Sequence, residues 1–265
     1  MIEYITSEHV LNNIANLPQL VFEVTDACNL KCKYCAYGEF YNDFDKRENK
    51  KLSLSKAIRL IDYLQPYWNS NRNTSAMTYM YVSFYGGEPL LNIEFIKEIV
   101  SYFKNHVDCP HRTFIFTMTT NAMLLNRHMD YLVENDFQIL ISLDGNKKNN
   151  SYRVDLHGNS CYDRVIHNVD MLREKYPDYF DRNVSFNSVF HNRSTVEDVY
   201  MFFKKTYNKI PTISELNNVG IRPDKLEEFN RAFKNMNESL RQSEHYESIE
   251  KDMLMKASSY KGLAL

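Results

Sequence analysis

The chain has 265 residues, 43% of them hydrophobic, with 32 Lys+Arg against 34 Asp+Glu. That length and apolar content can bury one sizeable core, and a formal net charge of −2 without a basic stripe argues against a nucleic-acid partner. The opening MIEYITSEHVLNN lacks a basic stretch followed by an apolar one, and no apolar run nears the length of a membrane span. A cytoplasmic protein without a membrane partner is therefore expected.

In chain order, the first apolar, β-branched stretch is LVFEVT (Leu20 to Thr25), and it runs straight into CNLKCKYC. Cys28, Cys32 and Cys35 crowd together there, which in a reducing compartment points to metal rather than to a disulfide framework. A structural zinc site wants a fourth protein ligand close by, and Cys109 and Cys161 stand alone. Three cysteines on a 4Fe-4S cluster leave one iron open to a ligand. The charged loop GEFYNDFDKRENKK follows, and then Ala57, Leu60, Ile61 and Leu64 recur at helical spacing.

The second stretch, YMYVSFY (Tyr79 to Tyr85), ends in Gly86, Gly87, Glu88 and Pro89. Glycines at a strand end allow close backbone approach to a ligand, with Tyr85 placed to face a pocket. After a cap candidate at Asn92 comes a helix carrying Ile96, Ile99, Val100 and Phe103. FIFTMTT (Phe114 to Thr120) sets Thr119 and Asn121 at a third strand tip, and FQILISL (Phe137 to Leu143) sets Ser142, Asp144 and Gly145 at a fourth. A short acid beside a glycine suits ribose hydroxyls. Tyr162, Val165, Ile166 and Val169 predict a helix after Ser160, and VSFNSVF (Val184 to Phe190) predicts a fifth strand. Ser194 with Glu197 reads as a capping box for a helix through Val196, Val199, Tyr200 and Phe203. A weaker sixth strand lies near Ile213.

The order is βα repeated, which argues for a parallel α/β sheet with crossover helices, either a partial barrel or an open doubly wound sheet. Near-continuous apolar stretches predict strands covered on both faces. Four successive strands bring polar residues to their carboxyl ends, where parallel α/β folds assemble sites. Residues 1–216 are expected to form this core, with 1–19 as a lead-in, and 217–265 an exposed helical tail or linker leading into a further domain. Cys109, Cys161 and most histidines read as structural, with His157 the exception because it lies near Arg153.

These motifs resemble the radical S-adenosylmethionine (SAM) superfamily. CNLKCKYC matches its CxxxCxΦC signature with Tyr34 as the aromatic, and GGEP at Gly86 to Pro89 matches its motif for the methionine amino group. SLDG at Ser142 to Gly145 and YRVD around Arg153 are similar to the peptide- and sulfatase-modifying (SPASM-type) subgroup, although Asn149 and Asn150 replace a frequent His-Asp and no cysteine follows Cys161. The resemblance implies a partial (β/α)6 TIM-like barrel with a C-terminal helical extension. It implies one 4Fe-4S cluster on Cys28, Cys32 and Cys35, and SAM held by Tyr34, Gly86, Gly87, Glu88, Thr119, Asn121, Ser142, Asp144, Arg153, Asn187 and Val189. Among these, Ser142 and Asp144 would lie near the ribose, Arg153 would pair with the methionine carboxylate, and Asn187 and Val189 would line the adenine side. Reductive cleavage would then yield a 5′-deoxyadenosyl radical that takes hydrogen from a peptide or protein side chain, with a flavodoxin- or ferredoxin-like electron donor. A radical enzyme on a small molecule, or a non-catalytic metal- or partner-binding domain, are the alternatives.

Overall fold

In the computed structural model, which describes residues 4–259, helix α1 (Ser7–Ala15) precedes six βα-type units. These are β1 (Gln19–Glu23) and α2 (Leu54–Trp68), β2 (Tyr79–Tyr85) and α3 (Ile93–Asn105), β3 (Thr113–Thr120) and α4 (Leu125–Glu134), and β4 (Gln138–Ser142) with α5 (Tyr162–Lys175) and α6 (Pro177–Asn183). Strand β5 (Val184–Phe190) with α7 (Val196–Tyr207) and β6 (Thr212–Glu215) complete the sheet, and α8 (Leu226–Ala232), α9 (Met236–Arg241) and α10 (Tyr246–Ser259) follow. The strands pair in chain order, all parallel, and β1 does not meet β6. The fold is the expected α/β partial barrel, an unclosed six-stranded sheet.

The expectation of strands covered on both faces fails, for a reason visible in the alternation. Phe22, Val24, Met80, Val82, Phe84, Phe116, Ile139, Ile141, Val184 and Phe186 are buried and join the apolar stripes of the helices in one cluster. Their alternating neighbours face the concave side, where Val21 is 43% and Tyr85 42% exposed. That side carries a polar ladder: Gln19 Nε2 donates to Ser83 Oγ (2.7 Å), which shares a hydrogen bond with Thr117 Oγ1 (2.6 Å). A barrel left open needs no apolar filling on its inner face, so period-two alternation is retained.

Two caps differ from expectation. Asn92 precedes α3 but makes no capping bond; its Nδ2 donates to Val24 O (2.9 Å), fastening the helix start to β1. Thr195, not Ser194, caps α7 by accepting from Asp198 N (3.0 Å), while Ser194 closes a turn with His191 O (3.0 Å).

The C-terminal extension is helical as expected but does not hang free. Phe229 and Ala232 of α8 are buried with Phe40, Tyr41, Tyr152 and Leu216 in a second apolar cluster, and Ile249 of α10 enters the main core. Among the described residues no helix is long and apolar enough to cross a membrane.

Candidate functional site

The segment after β1 is shaped by the tip of β2. Gly87 N donates to Thr25 O (2.8 Å) and Glu88 N to Ala27 O (2.8 Å). A Cβ on Gly86 would stand 2.2 Å from Thr25 O and one on Gly87 2.2 Å from Ala27 O, so side chains there would push the cysteine loop off the sheet. Gly86 also takes φ +137°, a conformation closed to ordinary L-residues. The close approach expected of this glycine pair is therefore to the cysteine loop itself, and both glycines also line the cavity described next.

A cavity of about 500 Å³, within the range of small-molecule sites, opens at the carboxyl ends of the strands. Cys28, Cys32, Cys35 and Tyr34 line it, and opposite them stand Gly86, Gly87, Thr119, Asn121, Ser142, Arg153, Asn187 and Val189. The walls include Tyr85, expected from its place before the glycine pair, and also Glu23, Arg47 and Thr120, which the motif reading left out. Glu23 and Thr120 were accessible to a strand-tip argument, whereas Arg47 is brought in only by the course of the loop, through Nη1 to Leu30 O (3.2 Å).

Two residues read as ligand contacts, Glu88 and Asp144, are fully buried and line no part of the cavity. Glu88 Oε1 accepts from Thr120 Oγ1 (2.7 Å) and Leu90 N (3.1 Å), and Oε2 from Asn121 N (2.7 Å). Burial pushes this carboxyl up to about 7, against the pull of those donors. Asp144 accepts from Arg153 Nε (3.1 Å), Val189 N (3.0 Å) and the Tyr34 hydroxyl. A strand-tip position gives the height of a residue but not the side to which it turns, and both acids turn inward as struts.

Asn121 supports the cysteines rather than only facing the cavity: its Nδ2 donates to Asn29 Oδ1 (2.8 Å) and reaches Cys28 Sγ (3.7 Å). Asn149 and Asn150 are buried struts as well, Asn150 Oδ1 accepting from Asp144 N (3.2 Å) and Asn149 O meeting His191 Nε2 (2.9 Å). Cys109 is buried in the core, and Cys161 Sγ donates to Arg153 O (3.3 Å), which makes it a latch on the arginine segment. His157 donates its backbone N–H to Asp155 Oδ1 (2.9 Å) and lines no part of the cavity.

The donor set suits an iron-sulfur cluster. Three thiols border one cavity, and among the described residues no three Cys, His, Asp or Glu side chains converge tightly on a point that would hold a single ion. Burial pushes the Cys28 thiol up to about 11 and raises Cys32 further, while the guanidinium groups of Arg47 and Arg153 oppose these shifts. Metal binding must displace those protons, and the two cations favour the resulting thiolates. Arg153 lines the cavity with its Nε engaged by the Asp144 carboxylate, which leaves a cation at the wall where an anionic ligand group would be favoured.

Comparison with known proteins agrees with this geometry. Residues 22–206 match the radical SAM superfamily. The cysteine-type anaerobic sulfatase-maturating enzyme of Clostridium novyi (strain NT) is 26% identical over 72% of this chain and 48% of its own length. The radical SAM cyclopropyl synthase TigE of Paramaledivibacter caminithermalis is 23% identical over 63% of this chain and 34% of its own. The chain thus spans about half or less of the length of these curated relatives. A solved structure described as native anSMEcpe with bound AdoMet and Cp18Cys peptide shares the fold, with a TM-score of 0.61 at 23% identity over 76% of this chain and 51% of that one. The match covers most of the sheet and the whole cysteine loop, and the chain belongs to the radical SAM superfamily, whose members use a 4Fe-4S cluster and S-adenosylmethionine.

Proposed function

We propose that this chain is the catalytic core of a radical SAM enzyme that abstracts hydrogen from a peptide or protein side chain. Cys28, Cys32 and Cys35 hold a 4Fe-4S cluster, whose bound state with SAM supplies a 5′-deoxyadenosyl radical by reductive cleavage. The carrying observation is that these three thiols and the polar tips of β2 to β5 border one cavity.

Within it, Arg153 pairs with the methionine carboxylate, and the backbone around Gly86 and Gly87 receives the amino group. Thr119, Ser142 and Asn187 offer hydroxyl and amide groups to the ribose, and Val189 an apolar side to the adenine. Glu88, Asp144 and Asn121 act behind this layer by fixing the strand tips and the cysteine loop. The protein's share of the chemistry is orientation and exclusion of water.

A peptide substrate is supported by the sulfatase-maturating relatives. A small electron-transfer protein of the flavodoxin or ferredoxin kind reduces the cluster, and free thiols of this type fit the reducing cytoplasm. With Cys109 buried in the core and Cys161 bonded to Arg153 O, neither remaining cysteine lines the cavity, and one cluster per chain is expected.

Iron and sulfide analysis after anaerobic reconstitution tests the assignment. The parent is expected to bind four irons per chain, as one 4Fe-4S cluster requires, and to convert SAM to 5′-deoxyadenosine with a strong reductant. Cys32→Ala is expected to lose the cluster, and undiminished iron in that variant overturns the reading.

A further inference from the structure

We infer that Asp144 is a positioning residue that ties the cysteine loop and the cavity-facing arginine to one carboxylate, holding the two walls of the site in fixed register. The inference rests on the function proposed above, and it replaces a ribose contact for Asp144 with a different task.

The geometry is specific. Asp144 follows β4 and is fully buried, with Oδ1 accepting from Arg153 Nε (3.1 Å) and Val189 N (3.0 Å) and Oδ2 accepting from the Tyr34 hydroxyl. Tyr34 sits between Cys32 and Cys35, so its hydroxyl anchors the second half of the cysteine loop to the sheet, as the Asn29–Asn121 bond anchors the first. The Arg153 guanidinium lies over the Tyr34 ring at 5.4 Å, closing a triangle of acid, phenol and cation.

The backbone sets the same register. Lys31 N donates to Val154 O (2.8 Å) and Lys33 N to Tyr152 O (3.1 Å), which stands Cys32 opposite Arg153. The Tyr34 ring also packs against His191 (centroids 6.2 Å apart) and, edge to face, Tyr152 (6.5 Å).

Without Asp144 the buried arginine would lose its carboxylate partner and the loop its Tyr34 anchor, so one substitution should disturb both walls. A strut serving only one wall would disturb one. A residue touching the ribose would leave the loop unaffected.

The experiment compares variants of the full chain. In the metal-free protein, amide hydrogen exchange at Lys31 and Lys33 is expected to rise about tenfold or more in Tyr34→Phe and in Asp144→Asn, the effect of losing one hydrogen bond to a charged group. After reconstitution, Tyr34→Phe is expected to release iron to a chelator about tenfold faster, and Arg153→Lys to bind SAM about tenfold more weakly. Asp144→Asn is expected to show both changes, together with an altered electron paramagnetic resonance response of the reduced cluster to SAM. An Asp144→Asn protein changed in only one property, or in neither, overturns the inference. If that variant does not fold, parental loop exchange in Tyr34→Phe overturns it instead. A parent chain that takes up no cluster would overturn the function proposed above, while the exchange measurement on metal-free protein would still decide the role of Asp144.

Discussion

Glu88 shows how much a residue's surroundings decide about its task. Both of its oxygens face donors that cannot all reverse: the Asn121 and Leu90 amides always donate, and only the Thr120 hydroxyl can turn. A glutamine there must aim its NH₂ at one of those amides. Glu88→Gln is therefore expected to destabilise the fold by about 1–3 kcal/mol, the cost of a buried donor left facing a donor, measured by chemical denaturation. A parental stability would mean the carboxylate is not a strut. The same variant is expected to weaken cluster retention indirectly, since Asn121 passes the position of Glu88 on to Cys28.

At the scale of elements, the C-terminal extension behaves as part of the site's support. Strand-like contacts run between the cysteine loop and the segment before α8: Asn42 N donates to Gly220 O (2.9 Å) and Arg222 N to Phe40 O (2.8 Å). Lys33 pairs with Glu228 of α8 and with Glu39 (3.0 Å), and Glu228 also meets Lys225 (2.9 Å). Hydrogen bonds from Lys33 and Lys225 lower the Glu228 carboxyl from 4.5 to about 2. Because its folded pKa is depressed, its contribution is present above about pH 4.5 and is lost as pH falls toward 2. The pair is partly exposed, so its worth is below about 1 kcal/mol. Opening at Asn42 and Arg222 in the metal-free protein, measured as hydrogen exchange relative to the intrinsic rate at each pH, is expected to rise as pH falls through that window. Glu228→Gln should show the raised level already at pH 7, and a pH-independent parent would contradict this account.

At the scale of the whole molecule, two apolar clusters divide the labour. The main cluster holds helices to the convex face of the sheet, with Phe186 packed on Phe203 (4.8 Å) and Tyr207 (4.9 Å). The second holds the extension to the cysteine loop, with Phe229 against Phe40 (5.7 Å) and Tyr41 (6.5 Å). Phe229→Ala is expected to cost about 3 kcal/mol, at the low end for a buried phenylalanine because the site lies at the periphery. Its signature is faster proteolysis of both the extension and the loop while the sheet stays protected. Cleavage of the extension alone would separate the two and refute the coupling.

The sequence by itself determined the order of strands and helices, the parallel sheet and the cysteine motif, because each is written in local signals: apolar stretches, helical spacing and ligand spacing. Tyr79–Tyr85 and Val184–Phe190 are strands over the expected residues, since their β-branched and aromatic runs end sharply at turn residues. The choice between an open sheet and a partial barrel was not local and came only from family resemblance. Tertiary structure alone decided that Glu88 and Asp144 face inward, that a polar ladder runs along the concave face and that the polar-looking tail closes on the loop following the cysteines. Each of these depends on which chemical groups from distant parts of the chain arrive opposite one another. Tyr34 and Asp144, or Lys33 and Glu228, carry no mark in the sequence that they will meet; burial and hydrogen-bond satisfaction select the pairings once the sheet has formed.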